Sequence, residues 1–423
     1  MSESTSAVVQ ETSATPPTRR SSFAALKHRD FRLLWLGQII SVTGSQMQSV
    51  AINWHVYLLT KSAFALGLVG LFRGAPIILC SLIGGVVADA VNRKRLMIAT
   101  QSVMLTTAAL LAVATIAGLK SVWPIYILSA IASAATAFDI PARQSLLPSL
   151  VPPADFPNAV SLAVVVFNVA TIGGPALAGF ILAGGGPAII YAVNAASFLA
   201  VIGAVVAMRV SGSPELQGGR REALSFAALK EGLSFVWQTS IIVQTMTLDF
   251  AATFFASATL MLPIFAQERL HVDARGYGFL AAAPAIGSMV TALAMARIGN
   301  FKHQGRLVVA SVAVFGLATI GFGLSTAFWL SLLMLGITGA ADTVSTVLRQ
   351  TIRQLVTPNY IRGRMTAINQ MFFMGGPQLG ELEAGALAAL IGAPLSVVVG
   401  GLGSVLSAVV AALRSKSLME YDG

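Results

Sequence analysis

Long apolar stretches, separated by short polar or Gly- and Pro-containing breaks, dominate the chain from about residue 33 onward. A helix needs about 20 apolar residues to cross the roughly 30 Å hydrocarbon core of a bilayer. Stretches of that length predict twelve membrane-spanning helices. Their approximate bounds are 33–58, 65–89, 95–118, 123–147, 158–183, 187–209, 239–266, 276–297, 305–325, 327–350, 365–391 and 393–413.

The longest polar interruption, residues 210–238, divides the predicted helices six from six. The chain is therefore expected to form two six-helix bundles, residues 31–209 and 239–413, joined by a cytoplasmic linker. Residues 1–30 are rich in Ser, Thr and Pro and are expected to be a disordered cytoplasmic tail. Residues 414–423 form a second, shorter cytoplasmic tail.

The second part of the linker has an amphipathic pattern. Apolar residues recur at roughly helical spacing from Leu224 to Val236, beside Arg221 and Lys230. This pattern is typical of a helix that lies on the membrane surface. A plain flexible linker without a helix is the alternative.

The two predicted bundles resemble each other in sequence. A shift of 206 positions places Arg143 on Arg349, Pro152 on Pro358, Gly174 on Gly380 and Gly179 on Gly385, and a shift of 208 places Gly70 on Gly278 and Pro76 on Pro284. Matches at one nearly constant offset indicate an internal repeat. Repeats of this kind place a transporter's substrate site between the two halves, near the middle of the bilayer.

Composition supports a membrane location and excludes other classes. Hydrophobic residues make up 56% of the 423 and charged residues only 10%, whereas about a quarter of a soluble domain is charged. The net charge of +10 does not indicate a nucleic-acid surface, because the cations lie between the apolar stretches instead of on one face. The single cysteine, Cys80, excludes an intramolecular disulfide.

The distribution of the cations predicts the orientation of the chain. Of the 27 Lys and Arg residues, 22 fall on the side of the N-terminus and Arg73 lies within a predicted helix. The other side has four: Lys61, Lys120, Arg269 and Arg275. Positive residues collect on the cytoplasmic side of a membrane. Both termini are therefore expected in the cytoplasm.

Residues 85–96 form a short basic loop between the second and third predicted helices. Three consecutive cations must lie outside the hydrocarbon, since each would cost a few kcal/mol at its centre. The spacing G-x-x-x-D-x-x-x-R-K resembles the loop between these helices in the major facilitator superfamily of transporters, although Ala90 and Asn92 depart from the family pattern. A tight basic turn of any polytopic protein is the alternative.

In that superfamily the loop acts as a latch, so the resemblance implies a cytoplasmic gate motif. Asp89 would accept hydrogen bonds from the N-terminal amides of the eleventh helix, where the helix dipole favours an anion. The motif residues are Gly85, Asp89, Arg93, Lys94 and Arg95.

The fifth predicted helix is crowded with small residues around Gly174, Pro175 and Gly179. The stretch resembles the end of a motif in the superfamily's exporters, G-P-x-x-G-G, although Ala170 stands where a glycine is expected. Small residues let neighbouring helices approach closely, and Pro175 is expected to bend the helix. The stretch has either an export-specific role or a plain packing role.

Charged residues within predicted spans are costly in lipid and face a cavity or a partner. At ~1.5 Å per residue, Arg73 lies about 12 Å below the outer end of the second helix, and Glu381 and Glu383 lie about 12 to 15 Å below that of the eleventh. These helices meet between the halves in the superfamily, so Arg73 is expected to form an outer-gate ion pair with one of the glutamates. A permanent pair within one bundle is the alternative.

Three aspartates in predicted spans, Asp139, Asp249 and Asp342, join the two glutamates as candidate proton-coupling sites. Removal from water favours the neutral form of a carboxyl group, which lets the group exchange protons near neutral pH. Asp249 has no cation three or four residues away. By contrast, Arg143 follows Asp139 by four residues and can pair with it along one helix face.

The superfamily lines its cavity with helices one, four, seven and ten. The resemblance therefore implies substrate contacts from polar residues of the first helix and an aromatic residue of the seventh, namely Gln38, Gln46, Asn53 and Phe254. The sequence has no phosphate-binding loop, no metal-ligand spacing and no catalytic grouping. No cofactor, bound metal or enzymatic activity is expected.

Residues 31–38, 138–144, 362–364 and 378–385 are similar to the superfamily's bacterial exporter branch of siderophore and multidrug pumps. The resemblance implies an all-α membrane protein of two pseudo-symmetric six-helix bundles. It also implies a monomeric, proton-coupled antiporter in the bacterial cytoplasmic (inner) membrane, which exports a siderophore or an amphipathic drug-like molecule by alternating access. An importer of a small polar nutrient is the runner-up, followed by a non-transporting membrane receptor. The expected partners are the small-molecule substrate, protons and lipid, without nucleic acid.

Overall fold

The computed structural model describes residues 23–213, 233–255, 258–299, 301–358 and 361–422. Within these ranges the chain is helical and contains no strand, and a helical segment lies at each of the twelve predicted spans. We number the long helices α1 (Arg29–Thr60), α2 (Ala63–Ala90), α3 (Arg93–Ile116), α4 (Trp123–Leu146), α5 and α6 (the two arms of Phe156–Ala207), α7 (Ser240–Phe255), α8 (Ala274–Ile298), α9 (Gln304–Leu324), α10 (Phe328–Val356), α11 (Arg362–Ile391) and α12 (Ala393–Arg414).

Nine stretches of the described residues are long and apolar enough to cross a membrane, and one of them includes both α5 and α6. Helices α1 and α11 are not among the nine. In α1 the polar residues that the sequence assigns to the cavity lower the mean hydropathy.

Two helical hairpins turn at glycines with positive φ. Gly186 separates α5 from α6 with φ of 74°, and Gly392 separates α11 from α12 with φ of 85°. A residue with a Cβ adopts such a conformation only at a cost, whereas glycine adopts it freely. The two glycines lie at the repeat offset, 392 − 186 = 206. The internal repeat is therefore present in the backbone as well as in the sequence.

The seventh span differs from its prediction. The sequence predicts one helix over 239–266, but the described α-helix extends over Ser240–Phe255 and the backbone has left α-helical geometry by Ala258. A 3₁₀ turn (Ala258–Met261), a short helical turn (Leu262–Ile264) and a π turn (Phe265–Arg269) follow it. Pro263 lies in the first turn of the new segment, where its missing N–H is tolerated. In the middle of a continuous helix it would remove a hydrogen bond and clash with the preceding turn.

Each half forms one bundle. In the first half α1 packs on the α5–α6 arms and α4 packs on α2 and α3, while in the second half α10 packs on α8 and α9, and α12 packs on α7 and α9. The halves meet where α2 packs on α11 and where the helix Phe156–Ala207 packs on α8. The repeat relates α2 to α8 and α5 to α11, so each of these two interfaces corresponds to the other.

The first and last described residues, 23 and 422, lie at one end of the bundles, which we call the proximal end. There His28 Nε2 lies 2.9 Å from Asp155 Oδ2, and Gly305 N donates to Tyr421 O at 3.2 Å. The opposite end, with the α1–α2, α5–α6 and α11–α12 turns, is the distal end. Residues 214–232, which hold most of the predicted amphipathic linker helix, lie outside the described part of the chain, while residues 233–238 are helical.

Candidate functional site

Glycines bring the two halves together at the distal end. A Cβ added to Gly179 of α5 would lie 2.9 Å from Gly278 Cα of α8. One added to Gly385 of α11 would lie 2.6 Å from Gly67 Cα of α2. Real Cβ atoms essentially never lie this close to another atom. The two pairs of backbones can therefore approach each other closely because glycine has no side chain. These two contacts form the core of the interface between the halves.

The rest of the predicted fifth-helix motif packs differently. A Cβ on Gly174 would lie 2.6 Å from Gln46 Cβ, so this glycine packs α5 on α1 within the first half. Pro175 lies inside the helix, and its carbonyl oxygen faces Gly278 of the other half. The motif therefore serves packing both within the first half and between the halves.

Polar residues extend the distal contact. The Tyr57 hydroxyl at the end of α1 donates to Glu268 Oε1 of the π turn. One turn further on, Lys61 Nζ donates to Gln267 Oε1 at 2.8 Å. The break that ends α7 early thus places two side chains against α1. The sequence indicates only an aromatic residue near a helix end here and gives no sign of these partners.

An aromatic pair continues the contact towards the middle of the protein. Tyr277 of α8 is fully buried, and its hydroxyl donates to Val50 O of α1 at 3.0 Å. Its ring stacks on Trp54 with centroids 4.9 Å apart. The three hydrogen bonds between the halves from Tyr57, Lys61 and Tyr277 lie on the distal side, as the glycine contacts do. The structure is therefore closed at the distal end.

This geometry predicts a state-dependent crosslink. In a chain with Cys80 replaced by serine, cysteines at Lys61 and Gln267 should be joined by a short bifunctional thiol reagent only while the distal end is closed, and joining them should stop transport. Substrate uptake before and after reduction of a cleavable reagent measures the effect. A pair at Lys61 and Lys120, both in the first half, is the control. Crosslinking that leaves transport unchanged would show that the distal end does not open.

Arg73 lies beside the α2–α11 interface. Its Nη1 donates to Ser49 Oγ of α1 at 2.8 Å. Glu381 of α11 is within electrostatic range of the guanidinium, but no ion pair shorter than 4 Å joins these two described residues. A Cβ on Gly70 would lie 2.5 Å from Glu381 Oε2. Glu381 is thus directed at α2, and the outer-gate ion pair of Arg73 with Glu381 or Glu383 stays a prediction.

The second half contains a buried charge cluster on α7 and α10. Arg349 Nη1 lies 2.8 Å from Asp249 Oδ1, and the two side chains are 1% and 8% exposed. Arg349 also donates from Nη2 to Thr346 Oγ1 at 3.1 Å. Asp342 lies within electrostatic range of both members of the pair. The counter-charge of Asp249 comes from a helix a hundred residues later, which spacing along one helix cannot reveal.

In the first half, Asp139 and Arg143 bind other partners. Asp139 Oδ1 accepts hydrogen bonds from Thr100 Oγ1 and Gln101 Nε2 of α3, both at 3.0 Å. Arg143 donates to Gln38 Oε1 of α1. No ion pair links Asp139 with Arg143 among the described residues. The i, i+4 pairing is not formed because neighbouring helices supply closer partners.

The remaining cavity candidates differ in their surroundings. Gln46 Nε2 donates to Thr171 Oγ1 at 3.1 Å and is tied to α5. Phe254 stacks on Phe250 with centroids 5.7 Å apart. By contrast, Asn53 Oδ1 is buried and has no hydrogen-bond partner in the described part of the chain. Asn53 is therefore the predicted contact residue that has an acceptor free for a ligand.

The basic loop is fixed to the start of the linker. Asn92 caps α3 by accepting from Arg95 N at 3.1 Å, and its Nδ2 donates to Ser211 O at 2.8 Å. Arg93 N donates to Gly212 O at 2.8 Å, and Lys94 Nζ donates to Met208 O at 2.7 Å. The departure from the family pattern at residue 92 thus has a local structural role.

The latch itself is only partly described. A Cβ on Gly85 would meet nothing within 4 Å. The side chains of Asp89, Arg362 and Arg364 lie outside the described part of the structure. The proximal gate stays a prediction.

The comparison with known families agrees with this architecture. The family described as transmembrane secretion effector matches residues 20–422. The chain belongs to that family. It is an all-α membrane transporter with the fold of the major facilitator superfamily, and its relatives are transporters, not enzymes.

Two relatives and two solved structures illustrate the match. The chain is 23% identical over 380 residues to the enterobactin exporter EntS of Salmonella choleraesuis, covering 90% of each chain, and 25% identical over 399 residues to the multidrug efflux pump Tap of Mycolicibacterium fortuitum, covering 92% and 96%. A bacterial homologue of the iron transporter ferroportin in an inward-facing state superposes with a TM-score of 0.70 at 16% identity, covering 92% and 99%. A POT family transporter in complex with a thioalcohol-conjugated peptide gives 0.72 at 10% identity, covering 95% and 100%. These structural similarities show the fold alone.

Proposed function

We propose that this transporter is a proton-driven exporter of an amphipathic small molecule, of siderophore or drug-like type, and that it works by alternating access. The observation that carries the proposal is the pair of symmetry-related interfaces, α2–α11 and α5–α8, which close one end of the protein. Two rigid bundles that touch through glycine contacts can separate there and close at the other end.

Positive charge supports a cytoplasmic location for the proximal end and for both termini. The basic loop and the ends of α1, α6 and α12 lie there, with Arg29, Arg93, Lys94, Arg95 and Arg414. Lys and Arg collect on the cytoplasmic side of bacterial membrane proteins. The structure would then be closed to the outside and able to take up substrate from the cytoplasm, in the cytoplasmic membrane.

Export is supported by the relatives, since EntS is named as an exporter and Tap as an efflux pump. The candidate substrate contacts also fit a molecule with polar and apolar parts. Asn53 offers a buried acceptor without a partner among the described residues, and Phe250 and Phe254 offer an aromatic wall. Sites of this composition bind ligands mainly by apolar contact and orient them by a few polar groups.

Proton coupling is supported by carboxyl groups within the spans. Glu381 and Glu383 lie in α11, and the Asp249–Arg349 pair lies with Asp342 in the second half. A carboxyl group removed from water binds a proton more readily than one in water, and an arginine neighbour opposes this. A movement that alters the distance between such groups would change their proton affinity.

The test of function uses inverted membrane vesicles, whose proximal face is outward under the proposed orientation. With an acidic interior, wild-type vesicles are expected to accumulate a siderophore or a cationic dye. On an Arg349→Gln background, which leaves no buried charge unpaired, a triple variant with Asp249→Asn, Glu381→Gln and Glu383→Gln should lose this pH-driven accumulation and keep counterflow. Binding and rocking remain in this variant, while proton binding is removed.

Glu420→Gln, in the exposed C-terminal tail, serves as the matched carboxyl-to-amide control and should behave as wild type. Undiminished pH-driven accumulation by the triple variant would refute the assignment of the proton sites. Accumulation only in right-side-out vesicles would indicate an importer instead.

A further inference from the structure

A polar cavity of about 90 Å³ is lined by helices of the first half alone. Helices α1, α2, α3, α4 and α6 line it. Its polar lining includes Gln48, Ser49, Arg73, Ser129, Ser133 and Asn194. The volume corresponds to about three water molecules. A space of this size and polarity holds water or a small ion.

The charge of the cavity is positive. Arg73 is the charged residue among the described residues that line it, and none of them is a carboxylate. A guanidinium has five N–H donors, and the bond to Ser49 uses one of them. Glu381, which partly offsets this charge, belongs to the other half and is not part of the lining. The cavity therefore has a cation with donors to spare and no anion of its own.

A second, independent feature is a hydroxyl group without a partner. Ser129 of α4 is 4% exposed, and its Oγ is buried with no hydrogen-bond partner in the described part of the chain. Two other lining groups bind each other, since Asn194 Nδ2 donates to Gln48 Oε1 at 2.8 Å. A buried hydroxyl left without a partner is destabilising. The Ser129 hydroxyl is free to donate to a bound group.

We infer that this cavity binds a small monovalent inorganic anion, of the charge and size of chloride, between Arg73 and Ser129. An anion loses its hydration shell inside a bundle, and only a positive charge together with N–H and O–H donors compensates for that loss. Both are present here. The inference goes beyond the proposed function, since it depends neither on the direction of transport nor on proton coupling.

The test is thermal unfolding of the purified full-length protein in nanodiscs, without substrate or gradient. Sodium chloride or bromide is titrated against sodium gluconate at constant ionic strength. Because a ligand that binds only the folded state stabilises it, the unfolding temperature should rise saturably with halide. Ser129→Ala should weaken the apparent halide affinity by about tenfold, the size expected for a hydrogen bond to a charged group.

Two further variants make the test specific. Glu381→Gln removes the negative charge that competes for Arg73, so it should strengthen halide binding severalfold. Ser407→Ala is the matched control, because the Ser407 hydroxyl donates to Gly403 O of its own helix at 2.8 Å, in the other half. Opposite shifts for Ser129→Ala and Glu381→Gln, with Ser407→Ala unchanged, would support the site.

Equal unfolding temperatures in halide and gluconate would overturn the inference and leave a cavity that holds only water. So would a halide effect that Ser129→Ala leaves intact. Arg73→Gln should abolish the effect, and if this variant does not fold, the opposite shifts of the other two variants decide. Halide binding is measured without substrate or gradient. A failure of the transport proposal in vesicles would therefore leave the halide result unchanged, and the two proposals can fail separately.

Discussion

Gly278→Ala should reduce transport by about tenfold or more while the protein stays folded. The added Cβ would lie 2.7 Å from both Gly179 Cα and Pro175 O, which are backbone atoms that cannot move aside alone. Forcing an extra carbon into such a contact costs roughly 1–3 kcal/mol. At 1.4 kcal/mol per tenfold, this strain would lower the ratio of the distal-closed state to the distal-open state about 5- to 150-fold.

Gly385→Ala should have a similar effect from the symmetry-related interface, since its Cβ would lie 2.6 Å from Gly67 Cα. Each bundle should keep its own packing, because these contacts join the halves. The strain is therefore expected to move the equilibrium towards the distal-open state.

Gly173→Ala is the matched control for both variants. Gly173 lies on α5 near Gly179, but a Cβ at this position would meet nothing within 4 Å. All three substitutions share the intrinsic preference of a helix for alanine over glycine, about 1 kcal/mol, so the comparison isolates the contact between the halves. Transport by Gly173→Ala should lie within about twofold of wild type, well under a kcal/mol.

Two measurements check this prediction. Initial transport rates in vesicles give the loss, and labelling of a cysteine at Asn53 by an impermeant maleimide from the distal side reports opening, in a chain with Cys80 replaced by serine. Gly278→Ala should label faster than Gly173→Ala. Equal labelling and equal transport in the two variants would mean that the glycine contact does not hold the distal end closed.

The sequence repeat shows which glycines are equivalent in the two halves, but it does not show which glycines are in contact. Matches at 206 and 208 positions relate Gly179 to Gly385 and Gly70 to Gly278. A constant offset identifies equivalent positions in the two halves, whereas contacts join non-equivalent helices, α2 with α11 and α5 with α8. Only the way the halves face each other determines that Gly179 touches Gly278.

Helices and turns were readable because their signals are local. Apolar length predicts the spans, and the hairpin glycines have a proline close after them: Pro187 follows Gly186 directly, and Pro394 is two residues after Gly392. The seventh span cannot be divided from its sequence alone, because its apolar pattern continues to residue 266 although the backbone leaves α-helical geometry by Ala258.

The polar partners of the site depend on which faces of distant helices meet. Asp139 illustrates this: its neighbour four residues on is an arginine, but its hydrogen bonds come from Thr100 and Gln101. The donors on α3 could not be chosen from the spacing along α4. The Tyr57–Glu268 contact and the unpartnered hydroxyl of Ser129 also depend on which faces of distant helices meet, so spacing along one helix could not predict them.

The second large effect is expected from the buried pair Asp249–Arg349. Asp249→Asn should destabilise the protein by about 3–5 kcal/mol, because it leaves the guanidinium of Arg349, only 1% exposed, without its counter-charge. A double variant, Asp249→Asn with Arg349→Gln, should regain most of that loss, since replacing both members of a buried pair removes the uncompensated charge. Unfolding of purified protein by heat or denaturant measures both.

Arg143 provides the matched control for the arginine. It lies at the repeat-equivalent position, 349 − 143 = 206, but its partner Gln38 is neutral. Arg143→Gln therefore leaves no unpaired carboxylate and should cost less stability than Arg349→Gln, which strands Asp249. An unfolding free energy of Asp249→Asn equal to that of the wild type would show that the Asp249–Arg349 pair does not stabilise the fold.

The double variant also separates structure from coupling. A purely structural pair predicts that the refolded double variant accumulates substrate under a pH gradient as the wild type does. A proton-coupling role for Asp249 predicts normal counterflow without pH-driven accumulation, because the protein rocks but has lost a group that binds the proton. Since the charge cluster lies within the second bundle, it would act on transport through the way α7 and α10 pack. The proposed function requires the second outcome if Asp249 is an essential proton site; the first would leave Glu381 and Glu383 to carry the coupling.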